Sequence, residues 1–301
     1  MSVLVIGSAN SDLIIQVDKL PKNGETVLGK NFTTVSGGKG ANQAMAISRL
    51  GSTVTLIASI GKDNFGDALI KDYNDAGINT TLIHRPNFPS GVAMIYVAKN
   101  AENTIAVAPG SNGLLSEHHV YNSKIHFKSS NIILAQLEIP IETVVASAKI
   151  AKENNLQFIL NPAPAKNLPS SLFPLIDIIT PNQTETKILT GIDVVDKKSA
   201  VNAAKILYQF GVKNIVITLG EQGALHYNGG SVKMTPGYSV KAIDTTAAGD
   251  TFNGALAYAL DKDKTMKEAI IFANKAAALS VTKLGAQSSI PNLEEVERFN
   301  P

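Results

Sequence analysis

The chain has 301 residues, 44% apolar and 17% charged, long enough to bury a substantial core and too apolar for a disordered or acidic, solvating protein. Its 27 Lys+Arg against 25 Asp+Glu leave a net charge of +2, so no general attraction to nucleic acid or an anionic membrane follows. Cysteine is absent, which excludes disulfides, thiolate nucleophiles, Cys-ligated zinc and iron–sulfur clusters.

The first residues, Met1-Ser2-Val3-Leu4-Val5-Ile6-Gly7, show neither a basic leader nor a long apolar stretch. No run of about 18 apolar residues occurs, and a cytoplasmic protein without membrane spans is expected. Residues 3–6 predict a buried central strand ending at Gly7. Residues 13–17, 32–35 and 92–97 predict half-exposed strands. Phe65, Ala68, Leu69, Tyr73 and Ala76 recur at helical spacing, with Gly77 where a helix-ending glycine belongs. Further helical stripes are Ile141, Val144, Val145 and Ala148; Phe252, Ala255, Leu256, Ala259 and Leu260; and Met266, Ala269, Ile270 and Ala273. Between them lie compact apolar runs at 132–135, 158–160, 176–179 and 215–219, which read as strands buried on both faces.

From about residue 130 onward the alternation is βαβαβ. The fold class is therefore α/β, with a doubly wound, mostly parallel sheet. The β-rich segments at about 12–36 and 90–108 interrupt it as a small accessory sheet. No linker or internal repeat divides the chain, so one domain over 1–301 is expected.

The strongest local signal is Asp244-Thr245-Thr246-Ala247-Ala248-Gly249-Asp250-Thr251-Phe252, directly before a helical stripe. Small residues let backbone approach a ligand, and a helix N-terminus offers free N–H groups to an anion. Asp250 reads two ways. It is a helix-capping carboxylate, or a general base taking a proton from a hydroxyl beside a phosphoryl group held by those amides.

The second cluster, Ser36-Gly37-Gly38-Lys39-Gly40-Ala41-Asn42-Gln43-Ala44, matches neither the Walker A loop nor the dinucleotide fingerprint, whose third glycine is replaced by Gln43. The polar Asn42 favours a polyhydroxyl ligand. Asn10 and Asp12 follow the first strand, where α/β sheets bind ligands, and the pair suits vicinal hydroxyls. Glu138 follows the 132–135 run. Asn182 and Glu185 follow the 176–179 run and read either as a capping box or as contacts to phosphates and water-bound Mg²⁺. Thr218-Leu219-Gly220-Glu221-Gln222-Gly223 closes another strand. The five His residues show no metal-binding spacing.

These motifs resemble the PfkB carbohydrate kinase family over residues 3–291. The resemblance rests on residues 37–44 and on residues 244–252, the second being highly specific. Asn10-x-Asp12, Asn161-Pro162-Ala163-Pro164-Ala165 and Gly285-Ala286-Gln287-x-Ser289 add to it. It implies a central, mostly parallel sheet flanked by helices, with a small β-sheet lid that also forms a homodimer. It implies ATP-dependent phosphorylation of D-ribose at its 5-hydroxyl, with Mg²⁺ and K⁺. By matching positions, Asn10, Asp12, Gly38, Lys39, Gly40, Ala41, Asn42 and Glu138 line the sugar site. Asp250 is the base, and Ala247, Ala248 and Gly249 supply the anion hole. Asn182, residues 218–223 (Thr218, Leu219, Gly220, Glu221, Gln222, Gly223), Gly249 and Asn274 meet ATP, and Glu185 organises Mg²⁺ through water. Asp244, Thr246, Ser280, Lys283, Gly285 and Ser289 form the K⁺ site, several through backbone carbonyls. The alternatives are another kinase of the family, acting on deoxyribose or another pentose, and a non-catalytic sugar or nucleotide sensor.

Overall fold

The computed structural model describes residues 2–99 and 102–300. In chain order the elements are β1 (Ser2–Ile6), β2 (Asn10–Val17), β3 (Gly29–Gly37), α1 (Lys39–Arg49), β4 (Thr53–Ile57), α2 (Asn64–Asp75), β5 (Gly91–Ala98) and β6 (Asn103–Ala108). There follow α3 (Glu117–Asn122), α4 (Lys124–Phe127), β7 (Ile132–Ala135), α5 (Ile141–Glu153), β8 (Gln157–Leu160), β9 (Ile178–Ile179), α6 (Gln183–Thr190) and α7 (Lys197–Gln209). The chain closes with β10 (Asn214–Thr218), β11 (Ala224–Tyr227), β12 (Val232–Thr235), α8 (Ala248–Asp261), α9 (Met266–Ser280) and α10 (Leu293–Arg298).

An eight-stranded sheet runs in the order β12-β11-β10-β9-β8-β7-β1-β4. It is parallel from β4 to β10 and antiparallel through β11 and β12. Alternation along β1 explains why it sits inside. Val3 and Val5 enter the core shared with α1, α8 and α9, while Leu4 and Ile6 enter the opposite core with α5 and α7. The chain leaves β1 for β4 on one side and returns to β7 on the other, so the strand order reverses at β1. Ligands of open α/β sheets bind outside the strand C-termini at such a point.

The second sheet has the order β3-β2-β5-β6. β2 pairs antiparallel with β3 and parallel with β5, and β5 pairs antiparallel with β6. It is the expected appendage, with strands beginning at Asn10 and ending at Gly37 and Ala108. Within the expected 90–108 segment, residues 100 and 101 lie outside the described residues, as do 1 and 301 of the expected domain.

Two strands are displaced from expectation. The 176–179 run gives only Ile178–Ile179, because Pro174 fixes a 3₁₀ turn over Phe173–Leu175 that Ile176 closes. The 215–219 run shifts to Asn214–Thr218, because Leu219 starts the next turn. Among the described residues no helix is long and apolar enough to cross a membrane.

Gly254 sets one spacing that matters for the site. A Cβ there would lie 2.5 Å from the Ala46 Cβ and 2.8 Å from the Gln43 carbonyl oxygen. Its absence lets α8 lie directly on α1.

Candidate active site

The close packing of α1 on α8 brings Asn42 and Gln43 against Asp250. Asn42 Nδ2 donates to Asp250 Oδ2 at 2.9 Å, and Gln43 Nε2 donates to Oδ1 at 3.0 Å. Gly38 caps α1 with φ +88, and a Cβ there would meet the Asn10 amide at 2.7 Å. That turn folds the start of α1 onto the loop after β1, as the glycine cluster requires.

Glu138, three residues beyond β7, accepts from the Ser8 hydroxyl at 2.5 Å and the Lys39 backbone N–H at 3.0 Å. Asn10 Oδ1 accepts from Asn112 Nδ2 at 2.7 Å. Asp12 is buried and borders the same space. Burial pushes its pKa up to about 7, assisted by the charges of Glu138 and Asp250 and opposed by Lys39. Asp250 is also raised by burial, against Lys39 and the hydrogen bonds from Asn42 and Gln43. The Lys39 ammonium is held above its usual range chiefly by Asp250, against its own burial. The charges of Asp250, Glu138, Glu185 and Asp12 thus act together on one lysine. Such a set accepts hydrogen bonds from a polyhydroxyl molecule, whose O–H groups are donors.

The start of α8, like those of α1 and α5, has no side-chain cap, and it alone of the three begins at a non-glycine residue with positive φ. Ala247 caps it in the left-handed region at φ 59, with no side-chain cap. By contrast Asp63, Asn182, Asp196 and Thr265 cap their helices through side chains. An N-terminus without a side-chain cap leaves its first amides to an anion. Asp250 lies in this first turn but is turned to Asn42 and Gln43, so it does not cap the helix.

Asn182 and Glu185 form the capping box that was one of their two readings. Asn182 Oδ1 accepts from the Glu185 N–H at 2.8 Å, and Glu185 Oε2 accepts from the Asn182 N–H at 2.9 Å. Burial pushes the buried Glu185 up to about 7, while Lys39 and the Asn182 N–H oppose it. Residues 218–223 form a turn with Gly220 at φ 58 and Gly223 at φ 92. Asn274 is buried and donates to the carbonyls of Thr235 and Pro236, at 3.4 and 3.1 Å.

Asp244, Thr246 and Gly285 come together. The Asp244 carboxylate accepts from the Thr246 and Gly285 N–H groups, each at 2.9 Å. The 280–285 turn follows, with the Val281 carbonyl accepting from the Ile243 and Asp244 N–H groups. Lys283 directs its side chain away to Glu295 at 2.6 Å. Ser289 closes a short turn on the Ala286 carbonyl. Among the described residues no group of three or more His, Cys, Asp or Glu side chains is placed to hold a metal ion.

Sequence reasoning gave no role to Gln43, Asn161 and Gln287, and did not single out Ser8, Asn112 or Gln136. All six are buried around the carboxylates. The usable signal for Gln136 is its place between the end of β7 and Glu138.

The reversed strand order, the polar strand ends and the β appendage define an α/β carbohydrate kinase. Residues 1–293 match the pfkB family of carbohydrate kinases. The chain is 46% identical over 299 residues to the ribokinase of Haemophilus influenzae, covering 99% of this chain and 98% of that protein. It is 38% identical over 305 residues to a deoxyribokinase of Salmonella typhi, covering 99% and 98%. The structure of an Arabidopsis thaliana ribokinase complexed with ribose and ATP superposes with a TM-score of 0.93 at 30% identity, covering 99% of each chain. The chain belongs to the pfkB carbohydrate kinase family and is an ATP-dependent sugar kinase.

Proposed function

We propose that the chain transfers the γ-phosphoryl group of ATP to the 5-hydroxyl of D-ribose, giving D-ribose 5-phosphate and ADP. The carrying observation is Asp250: a buried carboxylate, held at both oxygens by amide donors, beside a helix start without a side-chain cap. The full-length match to proteins named ribokinase supports the sugar.

Asp12 and Glu138 accept from the sugar hydroxyls, with Asn10, Lys39 and Asn42 and the backbone of Gly38, Gly40 and Ala41 shaping the pocket. Asp250 takes the 5-hydroxyl proton as that oxygen forms its bond to the γ-phosphorus and the bond to ADP breaks. The backbone of Ala247, Ala248 and Gly249 forms the anion hole that faces the charge on the transferring group, preorganised before it develops. Residues 218–223, Asn182 and Asn274 lie where ATP is read.

The donors fit the two cations. Glu185 is one hard carboxylate, which suits Mg²⁺ held mainly by phosphate and water; bound there, Mg²⁺ neutralises phosphate charge. The Asp244 carboxylate keeps lone pairs beyond its two amide bonds, and with neighbouring carbonyls it suits K⁺, which fixes the 244–249 backbone. The set is Asp244, Thr246, Ser280, Lys283, Gly285 and Ser289.

We read residues 1–301 as one kinase domain, with the second sheet as its lid. Register places Thr33, Ile14, Ile95 and Ile105 in one row, and Val35, Asp12, Ala93 and Val107 in the next, on the same face. Ile105 and Val107 are 53% and 50% exposed. An apolar sheet face continuous with the sugar site is best covered by a second copy, so a homodimer through the lid is expected. We read the enzyme as cytoplasmic, which is consistent with its use of ATP.

The deoxyribokinase match favours 2-deoxyribose as the second reading. Coupled ADP release over a panel of pentoses separates the two. Ribose is expected to have the higher kcat/KM; a higher value for deoxyribose removes the first reading.

A further inference from the structure

We infer that Gln43 is a positioning residue for the Asp250 carboxylate and that Gln136, behind it, fixes which end of the Gln43 amide faces that carboxylate. The inference rests on the reading of Asp250 as the base. Gln43 and Gln136 are fully buried. Gln43 Nε2 donates to Asp250 Oδ1 and to Asn161 Oδ1, both at 3.0 Å, and its Oε1 accepts from Gln136 Nε2 at 2.6 Å.

An ionised carboxylate only accepts hydrogen bonds, whereas a primary amide has a donor end and an acceptor end. Were Gln43 inverted, its Oε1 would face two other acceptors, and its NH₂ would face the donor of Gln136. Burial makes such mismatches costly, so the Asp250 and Asn161 acceptors on one side and the Gln136 donor on the other hold Gln43 in the productive sense; the buried Oε1 of Gln136 has no hydrogen-bond partner among the described residues. Gly7 stands against Gln136: a Cβ there would lie 2.0 Å from the Gln136 Oε1 and 2.8 Å from the Gly40 Cα, and the backbone contact leaves room for glycine alone.

The other oxygen repeats the logic. Gln287 Nε2 donates to Asn42 Oδ1 at 3.1 Å, and Asn42 Nδ2 donates to Asp250 Oδ2 at 2.9 Å. Two amide pairs therefore present donors to both oxygens. They fix the carboxylate plane and favour the ionised base. Lys39 also favours ionisation, while Asp12, Glu138 and Glu185 oppose it. Those four charges are unchanged by substitution at 43 or 136.

The test is the pH profile of ribose phosphorylation for the native enzyme, Gln43→Met, Gln136→Leu and the double variant, with ADP binding and thermal unfolding followed on each. Gln43→Met is expected to lower kcat about tenfold or more with ribose KM little changed. It is expected to move the acid limb of kcat upward by about half a pH unit or more. Gln136→Leu should act in the same direction, and the double variant should lose no more than Gln43→Met alone, because Gln136 acts through Gln43. An unmoved acid limb, or losses that multiply in the double variant, overturns the inference. If Gln43→Met fails to bind ADP or unfolds early, Gln43→Glu replaces it; a second carboxylate there should raise the limb further, and an unmoved limb again overturns it. Asp250→Asn is assayed alongside. Substantial turnover in that variant overturns the base reading and this inference together, whereas an inactive Asp250→Asn with unmoved limbs overturns this inference alone.

Discussion

Asn42 donates its side-chain amide to Asp250 at 2.9 Å, joining the first turn of α1 to the first turn of α8. The two signature clusters, some 200 residues apart, thereby meet on one carboxylate. Removing its charge alone tests its role. Asp250→Asn keeps the shape and is expected to leave ATP and ribose binding largely intact while kcat falls at least ~100-fold. Calorimetric binding and steady-state rates check this, and near-normal turnover would take the base role from Asp250.

Asp12 makes a prediction about stability in the ligand-free protein. Its pKa is near 4 in an unfolded chain and about 7 in the fold. Between those values the folded state holds the proton that the unfolded state has released. The resulting stability is complete below about pH 4 and is lost as pH rises through about 7. The effect is on the order of a few kcal/mol. Asp12→Asn cannot ionise, so its unfolding free energy should fall less between pH 5 and about 8 than that of the native protein. Parallel urea-unfolding curves for the two proteins across that range would contradict the assignment.

Gly254 is the contact that sets the α1–α8 distance. Gly254→Ala places a methyl 2.5 Å from the Ala46 Cβ, and the helices must separate. The expected cost is about 1–3 kcal/mol, the range of overpacked cores. Because Asn42 and Gln43 reach Asp250 across the same interface, kcat should fall as well. Denaturant unfolding and rate measurements test both, and a variant as stable and active as the native protein would show that the interface yields freely.

The main sheet was legible wherever an apolar run ends at a glycine or a polar residue, as at β1 and β7. The carboxylates Asp12, Glu138 and Asp250 could be read because each lies at a strand end or a helix start. The hairpin of β11 and β12 was not read. Ala224-Leu225-His226-Tyr227 has little β-branched character, and its strand nature comes from pairing with β10. The amides around Asp250, Asn42 and Asn10 apart, were equally silent. Gln136 meets Gln43 across 93 residues and Asn112 meets Asn10 across 102, and amides have no local period to announce such a contact. The cap of α8 was legible only as a run of small residues, since the left-handed turn at Ala247 is imposed by its surroundings.

The second sheet carries the last prediction. Ile105 stands on β6 opposite Ile95, on the sheet face that also carries Asp12. A lysine at position 105 puts a hydrated charge on the face that a second copy is expected to cover. Since the residue is 53% exposed, Ile105→Lys should barely change the stability of the single chain, as surface substitutions usually cost within about 0.5 kcal/mol. It should shift the protein from dimer to monomer in sedimentation experiments. With the partner sheet gone, the sugar site opens to water on that side, so ribose KM should rise more than kcat falls. A dimer that persists with unchanged KM would place the contact elsewhere on the molecule.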